Sequence, residues 1–503
     1  MSNSLITQPL IIFYNPQCAK AGYQRLPAAI LQVASLIEDL YSYEIIDANL
    51  RQFDDYPQLI IDKVKQGVRY LAISIMPGPQ LTSTVSDLRK IKDACPELTV
   101  IVGGYFPLNH TEVCVKDPDI DYAVVGPGEE TFKELITTLE ANENLVKVRG
   151  LAFVREGKMI QTSKRSPTNP NDLPRYPYHK LNTEDYIAPT FLGSRTLSHH
   201  SSFGCPFFCN FCAVVALAGG KWFGEKGERL GELAQIMVDK WQINALEFHD
   251  NNFFTSEKRV QSFCQQLIKR QIKLNWWGEG RVDTLLKYKE KTWELMRNSG
   301  LKMVFLGAES GDDETLQRMN KGGTQSANSA LLLAAKMRDF EVIPEFSFIL
   351  GNPPTPKQDV QKTIAFIRQI KKINPKAEII MYRYDPVPIG GEMFDAVTKL
   401  GFKFPASLEE WSNPKWRKIQ RRTTADVPWL TAKGQQYISD FQTVLNAFHP
   451  TATSRHIPPG SWRYWLLKSV SGIRYHLRFY KHPVELTWLQ KKLAYQRPEI
   501  SGF

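Results

Sequence analysis

Three cysteines fall within eight residues: Cys205, Cys209 and Cys212, in the run Gly204-Cys-Pro-Phe-Phe-Cys-Asn-Phe-Cys212. Thiolates bind soft metals and iron–sulfur clusters. A tetrahedral structural zinc site asks for four ligands, and this C-x3-C-x2-C loop supplies three. The next cysteine, Cys264, lies about fifty residues further on, inside a helical pattern. Three thiolates on a four-iron cube leave one iron open to an outside ligand, and an open coordination position is where chemistry can occur. Two other readings stand beside this one: zinc completed by His199, His200 or His249, and three core cysteines without metal. The full set of seven cysteines (18, 95, 114, 205, 209, 212 and 264) is odd in number, which is not a disulfide framework; clustering of this kind points to metal in a reducing compartment.

The elements that must position this loop follow from the apolar pattern. At roughly 100–200 residues per domain, 503 residues make two to four domains. Hydrophobic residues at 43% and charged residues at 23% exclude wholesale disorder and fibrous architectures. No apolar run reaches the ~18–20 residues of a membrane-spanning helix. The N-terminus lacks a basic leader and reads as a first strand rather than a signal peptide, so a cytoplasmic location is expected.

In residues 1–145, runs at Leu10–Tyr14, Tyr43–Ile46, Tyr70–Ile75, Thr99–Val102 and Tyr122–Val125 have the length and branching of buried parallel strands. Helical stretches at Pro27–Leu40, Pro57–Gln66, Leu81–Ala94 and Glu129–Glu140 alternate with them. Such β–α repeats predict an α/β, doubly wound sheet with ligand loops at the carboxyl ends of its strands. A hairpin turning at Glu156-Gly157 and a Pro/Asn-rich linker fill 146–194. Six further β–α units over 195–400, with strands ending near Ser202, Phe248, Trp277, Leu306, Leu350 and Met381, predict a closed or partial (β/α)6 barrel. Residues 401–503 read as a helical domain with six tryptophans.

The cysteine loop and the segments after it resemble the radical S-adenosylmethionine (SAM) enzymes. Phe211 matches the aromatic that contacts adenine in that family. Asp250–Phe253 is similar to its D-x-x-F segment, and Glu279–Asp283 (EGRVD) ends the third strand. Gly307-Ala-Glu-Ser-Gly311 resembles the G-x-E-S-G signature, Phe348–Thr355 the loop after the fifth strand, and Pro386–Gly390 the P-x-P-G segment after the sixth. The resemblance spans about 195–395. It implies a [4Fe–4S] cluster on Cys205, Cys209 and Cys212, with SAM contacts from Phe211, Arg281, Gly307, Glu309, Ser310 and Gly351. It also implies one-electron cleavage of SAM to a 5′-deoxyadenosyl radical that abstracts hydrogen from a substrate, inside walls that exclude water.

Residues 10–140 resemble the cobalamin-binding domains found with such barrels, through Val102–Pro107 and Asp117–Thr131. The resemblance implies that Ser74, Gly78, Gly103, Gly104, Tyr105, Gly126, Gly128, Glu129 and Thr131 meet cobalamin, small residues allowing close approach of the corrin. The D-x-H-x-x-G motif that supplies a cobalt histidine is absent; His110 is the only histidine before the linker, so the lower cobalt face is expected to lack histidine. A tRNA methylthiotransferase reading would use Cys18, Cys95 and Cys114 for a second cluster, but Cys95 and Cys114 fall in helical pattern and the C-terminus is not a small β-barrel.

The reaction expected is methylation of an unactivated carbon of a small-molecule or lipid-like substrate. Cyclisation or rearrangement is the alternative within the family; an iron–sulfur electron carrier and a cobalamin-binding regulator are the alternatives outside it. Tyr382, Tyr384 and Asp385, on the last barrel strand, are candidates to face the substrate. An external electron donor such as flavodoxin or ferredoxin is implied.

The net charge of +11 is uneven: from Thr451 to Phe503 nine basic residues face two acidic ones. The mixed aromatic and basic run Ser461–Leu493 reads either as a peripheral membrane surface or as a cap whose aromatics pack on the barrel. No nucleic-acid motif accompanies it, and nucleic acid is not expected as a partner.

Overall fold

The computed structural model describes residues 10–321, 325–414, 416, 427–453, 458 and 460–492. Arg455, Arg497 and Glu499, three of the charges in the basic tail, lie outside the described residues. The chain divides into two compact units: one from residues within 1–187, 213–224 and 404–421, the other from 188–212, 225–403 and 422–503.

The first unit is built on a seven-stranded sheet. Its strands are β1 (Ile11–Asn15), β2 (Tyr43–Asp47), β3 (Tyr70–Ser74), β4 (Thr99–Gly103), β5 (Tyr122–Val124), β6 (Leu151–Arg155) and β7 (Lys158–Gln161), ordered β2-β1-β3-β4-β5-β6-β7. The first five are parallel. Ile11, Ile12, Phe13 and Tyr14 are all buried, as expected of a central strand covered by helices on both faces. The order reverses between β1 and β3, so the carboxyl ends of those strands form the topological switch point, where open α/β sheets take ligands. The helix expected over Pro27–Leu40 ends at Ser35 and gives way to turns.

The hairpin β6–β7 extends the sheet antiparallel to β5. Its two-residue turn is Glu156-Gly157, both with positive φ (53° and 74°), the twist a tight hairpin favours. A late stretch of sequence completes this unit: Leu408 and Trp411 are buried in the same core as Ile73, Val102 and Phe106.

The second unit holds six parallel strands. They are β8 (Thr196–His199), β11 (Ala245–Phe248), β12 (Asn275–Arg281), β13 (Leu301–Glu309), β14 (Ile343–Leu350) and β15 (Glu378–Arg383), with short strands β9 (Ser202–Gly204) and β10 (Trp222–Gly224) elsewhere in the chain. The order β15-β14-β13-β12-β11-β8 leaves β8 and β15 as edges of a partial barrel. Outward-facing Phe248 and Trp276 pack with Phe253 and Phe263, filling the space under the helices. Inward-facing Trp277 packs with Leu192, Ala245 and Met303 at the amino-terminal end.

β12 and β13 run three or four residues past their expected ends. The added residues include Glu279, Arg281 and Glu309, polar side chains that read as loop but belong to strands whose inner face is polar. The helices Ala432–Phe448, Trp462–Leu477 and Val484–Lys492 belong to this unit. No helix among the described residues is long and apolar enough to cross a membrane.

Candidate functional site

The cysteine loop is anchored at both ends by hydrogen bonds. At its start, the buried Asp250 carboxylate accepts from Ser201 N at 2.6 Å, Ser201 Oγ at 2.7 Å and Ser202 N. Arg259, also buried, donates to the Glu225 carbonyl at 2.7 Å and the Phe253 carbonyl at 2.9 Å. Asp250 therefore fixes the strand from which the loop departs. Further on, the loop is stitched to the segment after the helix Asp313–Arg318. Asn210 N donates to Met319 O at 2.9 Å, Asn210 Nδ2 to Arg318 O at 2.7 Å, and Asn320 Nδ2 to Phe208 O at 2.8 Å.

Asn252 and Arg281 aim donors at two of the sulfurs. Asn252 Nδ2 lies 3.8 Å from Cys205 Sγ, and Arg281 Nη1 lies 3.4 Å from Cys209 Sγ. Burial pushes the Cys209 thiol up, while the charges of Lys321 and Arg281 oppose the shift. Of the two donors, Arg281 is cationic, and a cation beside a sulfur favours its thiolate.

Among the described residues no three His, Cys, Asp or Glu side chains are placed to hold a single metal ion. Thiolates on a cube each bind a different iron, so they must stand further apart than the donors of one ion. The histidines proposed to complete a zinc site are engaged elsewhere: His199 Nε2 with Glu225 at 3.1 Å, His200 Nε2 with the Ser202 carbonyl at 2.8 Å, and His249 Nε2 with Glu247 at 3.1 Å. The donor set fits an iron–sulfur cube better than zinc.

The remaining residues expected around SAM divide into two groups. Glu309 adopts a left-handed backbone (φ 67°), uncommon for a side chain of its size, and its Oε1 meets Lys321 Nζ at 2.5 Å. This ion pair runs over Gly307, where a Cβ would stand 2.3 Å from Glu309 Oε1 and 2.8 Å from Lys321 Nζ. Lys321 Nζ also lies 5.4 Å from the Phe211 ring. Nearby, Gln325 donates to the carbonyls of Gly307 and Ala308, while its own Oε1 is buried without a partner among the described residues. A buried acceptor left open beside a glycine cradle is what a bound cosubstrate would satisfy.

The second group is committed to the protein. Arg281 makes two 3.0 Å bonds to Asp283 and lays its guanidinium 3.7 Å from the Phe207 ring centroid. Ser310 Oγ donates to Asp359 at 2.9 Å, and Asp359 in turn accepts from Gly351 N at 2.9 Å and Asn352 N at 3.1 Å. Gly351 itself (φ 82°) passes under Leu430, 2.6 Å from where a Cβ would stand.

Inside the barrel, polar side chains cluster on the inner face toward the strand ends. Glu247 and His249 share one strand and its end, and His249 Nδ1 stands 3.8 Å from Glu279 Oε1. Trp277 Nε1 reaches across β13 to donate to Glu345 at 3.0 Å. Burial, reinforced by Glu378, pushes Glu345 up to about 8. Glu247, Trp277 and Glu345 were not picked out from the sequence as site residues, where His249 stood only as a possible zinc ligand and Glu279 only within the EGRVD segment. Their signal was the i, i+2 spacing Glu247/His249 and Glu279/Arg281 within otherwise apolar strands. Of the substrate candidates, Tyr382 pairs in register with Ile349 and shares the inner face with Glu345 and Ser347. Tyr384 is buried edge-on against Trp429 at 5.8 Å. Asp385 follows at the strand end, half-buried.

In the first unit, Ser74, Gly78, Gly103, Gly104, Tyr105, Gly126 and Gly128 do gather at the carboxyl ends of β3, β4 and β5. Gly104 (φ 97°) brings its backbone so close that a Cβ would lie 3.2 Å from both Ile75 O and Ser74 Oγ. A Cβ on Gly126 (φ 112°) would meet nothing within 4 Å, so the backbone there borders open space. Small residues beside open space at the carboxyl ends of parallel strands fit a large planar ligand. Glu129 opens the helix Glu129–Glu140, where burial raises its carboxyl. Thr131 is buried, and its Oγ1 bonds the carbonyls of Pro127 and Arg149 and receives Arg165 Nε at 2.8 Å.

A buried network at the ends of β1 and β2 escaped the sequence reading. Asp47 accepts from Asn15, Asn49 and Tyr186, and Gln80 donates to Asn15 at 2.9 Å. The His110 ring is packed by Phe106, Phe404 and Trp411, and burial lowers it to about 4, so it is neutral at physiological pH. Cys95 and Cys114 are buried in the hydrophobic core, where burial raises both thiols. Neither has the setting of a cluster ligand.

Comparison with known proteins agrees with both halves of this picture. Residues 15–136 match the B12 binding domain and residues 200–367 the radical SAM superfamily. An uncharacterized methyltransferase of Pyrococcus horikoshii is 26% identical over 350 residues, covering 68% of this chain and 73% of the relative. An anaerobic magnesium-protoporphyrin IX monomethyl ester cyclase of Synechocystis is 27% identical over 270 residues, 52% of this chain and only 53% of its own length. The solved structure of the radical S-adenosylmethionine methyltransferase TsrM from Kitasatospora setae shares the fold at TM-score 0.66 and 15% identity, covering 97% of this chain and all of that one. The chain thus carries a B12 binding domain and a radical SAM domain on the two folds described.

Proposed function

We propose that this enzyme methylates an unactivated carbon of a small-molecule or lipid-like substrate. The observation that carries the reading is the three-cysteine loop whose sulfurs receive N–H groups from Asn252 and Arg281, in a barrel with a polar interior and in a chain that also has a B12 binding domain. When bound, the cofactors supply reductive cleavage of the SAM carbon–sulfur bond and a carrier for the methyl group.

The rest of the task falls to the protein. Cys205, Cys209 and Cys212 hold the cluster. Phe211, Gly307, Glu309 and Gln325 receive SAM. Arg281 acts at the cluster through Cys209, and Ser310 and Gly351 act through Asp359, which holds the loop after β14. Ser74, Gly78, Gly103, Gly104, Tyr105, Gly126 and Gly128 shape the corrin site, with Glu129 at its helix start and Thr131 bracing that helix. Glu247, His249, Glu345 and Tyr382 orient the substrate on the inner face, with Tyr384 and Asp385 at the strand end, while the barrel walls keep water from the reacting carbon. An external donor such as flavodoxin or ferredoxin delivers the electron. The same reading places the chain in the cytoplasm, with a peripheral membrane contact through its basic C-terminal helices.

The test is anaerobic reconstitution with iron, sulfide and hydroxocobalamin, followed by assay of 5′-deoxyadenosine and S-adenosylhomocysteine under strong reductant. Methyl transfer yields both products. The similarity to the cyclase favours a second reading, ring closure or rearrangement, which yields 5′-deoxyadenosine alone. Absence of both products sinks the two readings together.

A further inference from the structure

The helix Trp462–Leu477 has two opposed apolar faces. On one, Leu467, Ser471 and Tyr475 are buried at four-residue spacing, with the Tyr475 ring stacked 4.5 Å from that of Phe448. On the other stand Trp462, Trp465, Leu466, Ile473 and Leu477, each between 38% and 74% exposed. Their spacing (i, i+3, i+4, i+11, i+15) places them on a single stripe directly opposite the buried one. A surface helix ordinarily turns polar residues outward. This one turns its largest apolar side chains there.

The next helix, Val484–Lys492, continues the pattern: Val484 and Trp488 are one turn apart and both exposed, and Phe479 between the helices is exposed as well. Exposed apolar surface on this scale marks a place where something binds.

Charge identifies what binds. From Ser461 to Lys492 there are seven Lys and Arg residues and one carboxylate, Glu485, which is itself bonded by Arg474 at 3.0 Å. By helical position Arg463 and Arg474 flank the stripe on one side and Lys468 on the other; Lys481, Lys491 and Lys492 are exposed beyond it. Cations stand directly by the exposed rings: Arg463 is 5.6 Å from the Trp462 centroid and Lys492 5.5 Å from that of Trp488. Tryptophan rings beside basic side chains suit the headgroup layer of a bilayer, where the ring meets the acyl boundary and the cation meets phosphate. A second copy of this face would instead set like charges against each other.

We infer that this face docks peripherally on an anionic lipid membrane, its apolar stripe at the acyl boundary and its basic flanks against the lipid phosphates. The inference deepens the peripheral contact proposed above by naming its lipid; it is argued from these two helices and would survive loss of the reaction.

The test is flotation of the full chain with phosphatidylcholine vesicles, with and without phosphatidylglycerol. The chain should rise with anionic vesicles at low salt, bind less as added salt shortens the reach of the charges, and stay behind with phosphatidylcholine alone. Trp465→Ser/Ile473→Ser/Leu477→Ser should weaken binding at least about tenfold with no loss of thermal stability, since these side chains lie outside the core. Neutralising Lys481, Lys491 and Lys492 to Gln should weaken it about fivefold per charge. Should the triple apolar variant misfold, Trp488→Ser alone carries the same comparison. No flotation with anionic vesicles at low salt overturns the proposal. So does binding that the apolar variants leave intact, because that is adsorption by charge alone. Concentration-dependent dimerisation lost in those variants, without vesicle binding, would assign the face to a second copy instead.

Discussion

At the scale of single residues, the cluster loop is distinguished less by its cysteines than by what points at them. An N–H group aimed at a ligating sulfur withdraws electron density and eases reduction of a cluster. Asn252→Leu, which removes the donor to Cys205, should therefore make the cluster potential more negative and slow SAM cleavage, as read by potentiometric titration and 5′-deoxyadenosine formation. An unchanged potential would show that the contact is only packing. Glu345 gives a second expectation, this one for stability. Its carboxyl is raised to about 8 in the folded chain, so the stability tied to its protonated form is complete below the ordinary glutamate range and is lost as pH rises toward about 8. Glu345→Gln keeps the Trp277 contact and cannot ionise. Its thermal midpoint should match wild type near pH 4.5 and exceed it by a growing margin up to about pH 8, then level off.

At the scale of elements, the strand ends do the positioning. β12 and β13 extend beyond their apolar segments because Glu279, Arg281 and Glu309 turn inward, and Gly278 and Gly280 let Phe253 and Phe254 close in on the outer face. The apolar run by itself signals only the buried part of such a strand, so its polar end is read as loop. Gly307 is required by its neighbours: a methyl group there would collide with both ends of the Glu309–Lys321 pair. Gly307→Ala should cost ~1–3 kcal/mol of stability and weaken SAM binding in calorimetric titration, since the pair must shift to make room. Normal SAM affinity in a folded Gly307→Ala chain would remove Glu309 from the cosubstrate site. The sequence resemblance located Ser310 beside SAM; what it could not show is that the hydroxyl is spent on Asp359, a residue 49 positions later.

At the scale of the whole molecule, sequence order and spatial order part company after residue 400. Phe404–Trp411 belongs to the core of the first unit, while the helices from Ala432 onward belong to the second. Trp411 stands 5.2 Å from Phe106 and 4.6 Å from His110, ring centroid to ring centroid, about three hundred residues away in sequence. Trp411→Ala should therefore destabilise the first unit by ~3–5 kcal/mol, the usual cost of emptying a buried aromatic site, and calorimetry should show this as a lowered transition. A transition that does not move would mean the late segment rests on the unit without supporting it.

By itself the sequence determined the α/β alternation and the cluster loop, because these are local in the chain: strand and helix periods repeat within a dozen residues, and three thiols in eight residues admit few uses; the cofactor set came through resemblance of its motifs to known domains. The glycine-rich strand ends were legible for the same reason. Only the tertiary structure decided which polar residues face the barrel interior, that Arg281 and Asn252 serve the sulfurs, that Asp47 and Gln80 brace the first sheet, and that one face of the Trp462–Leu477 helix is left apolar toward solvent. Each of these depends on which distant residues share a surface, and burial and charge pairing are properties of that meeting in space.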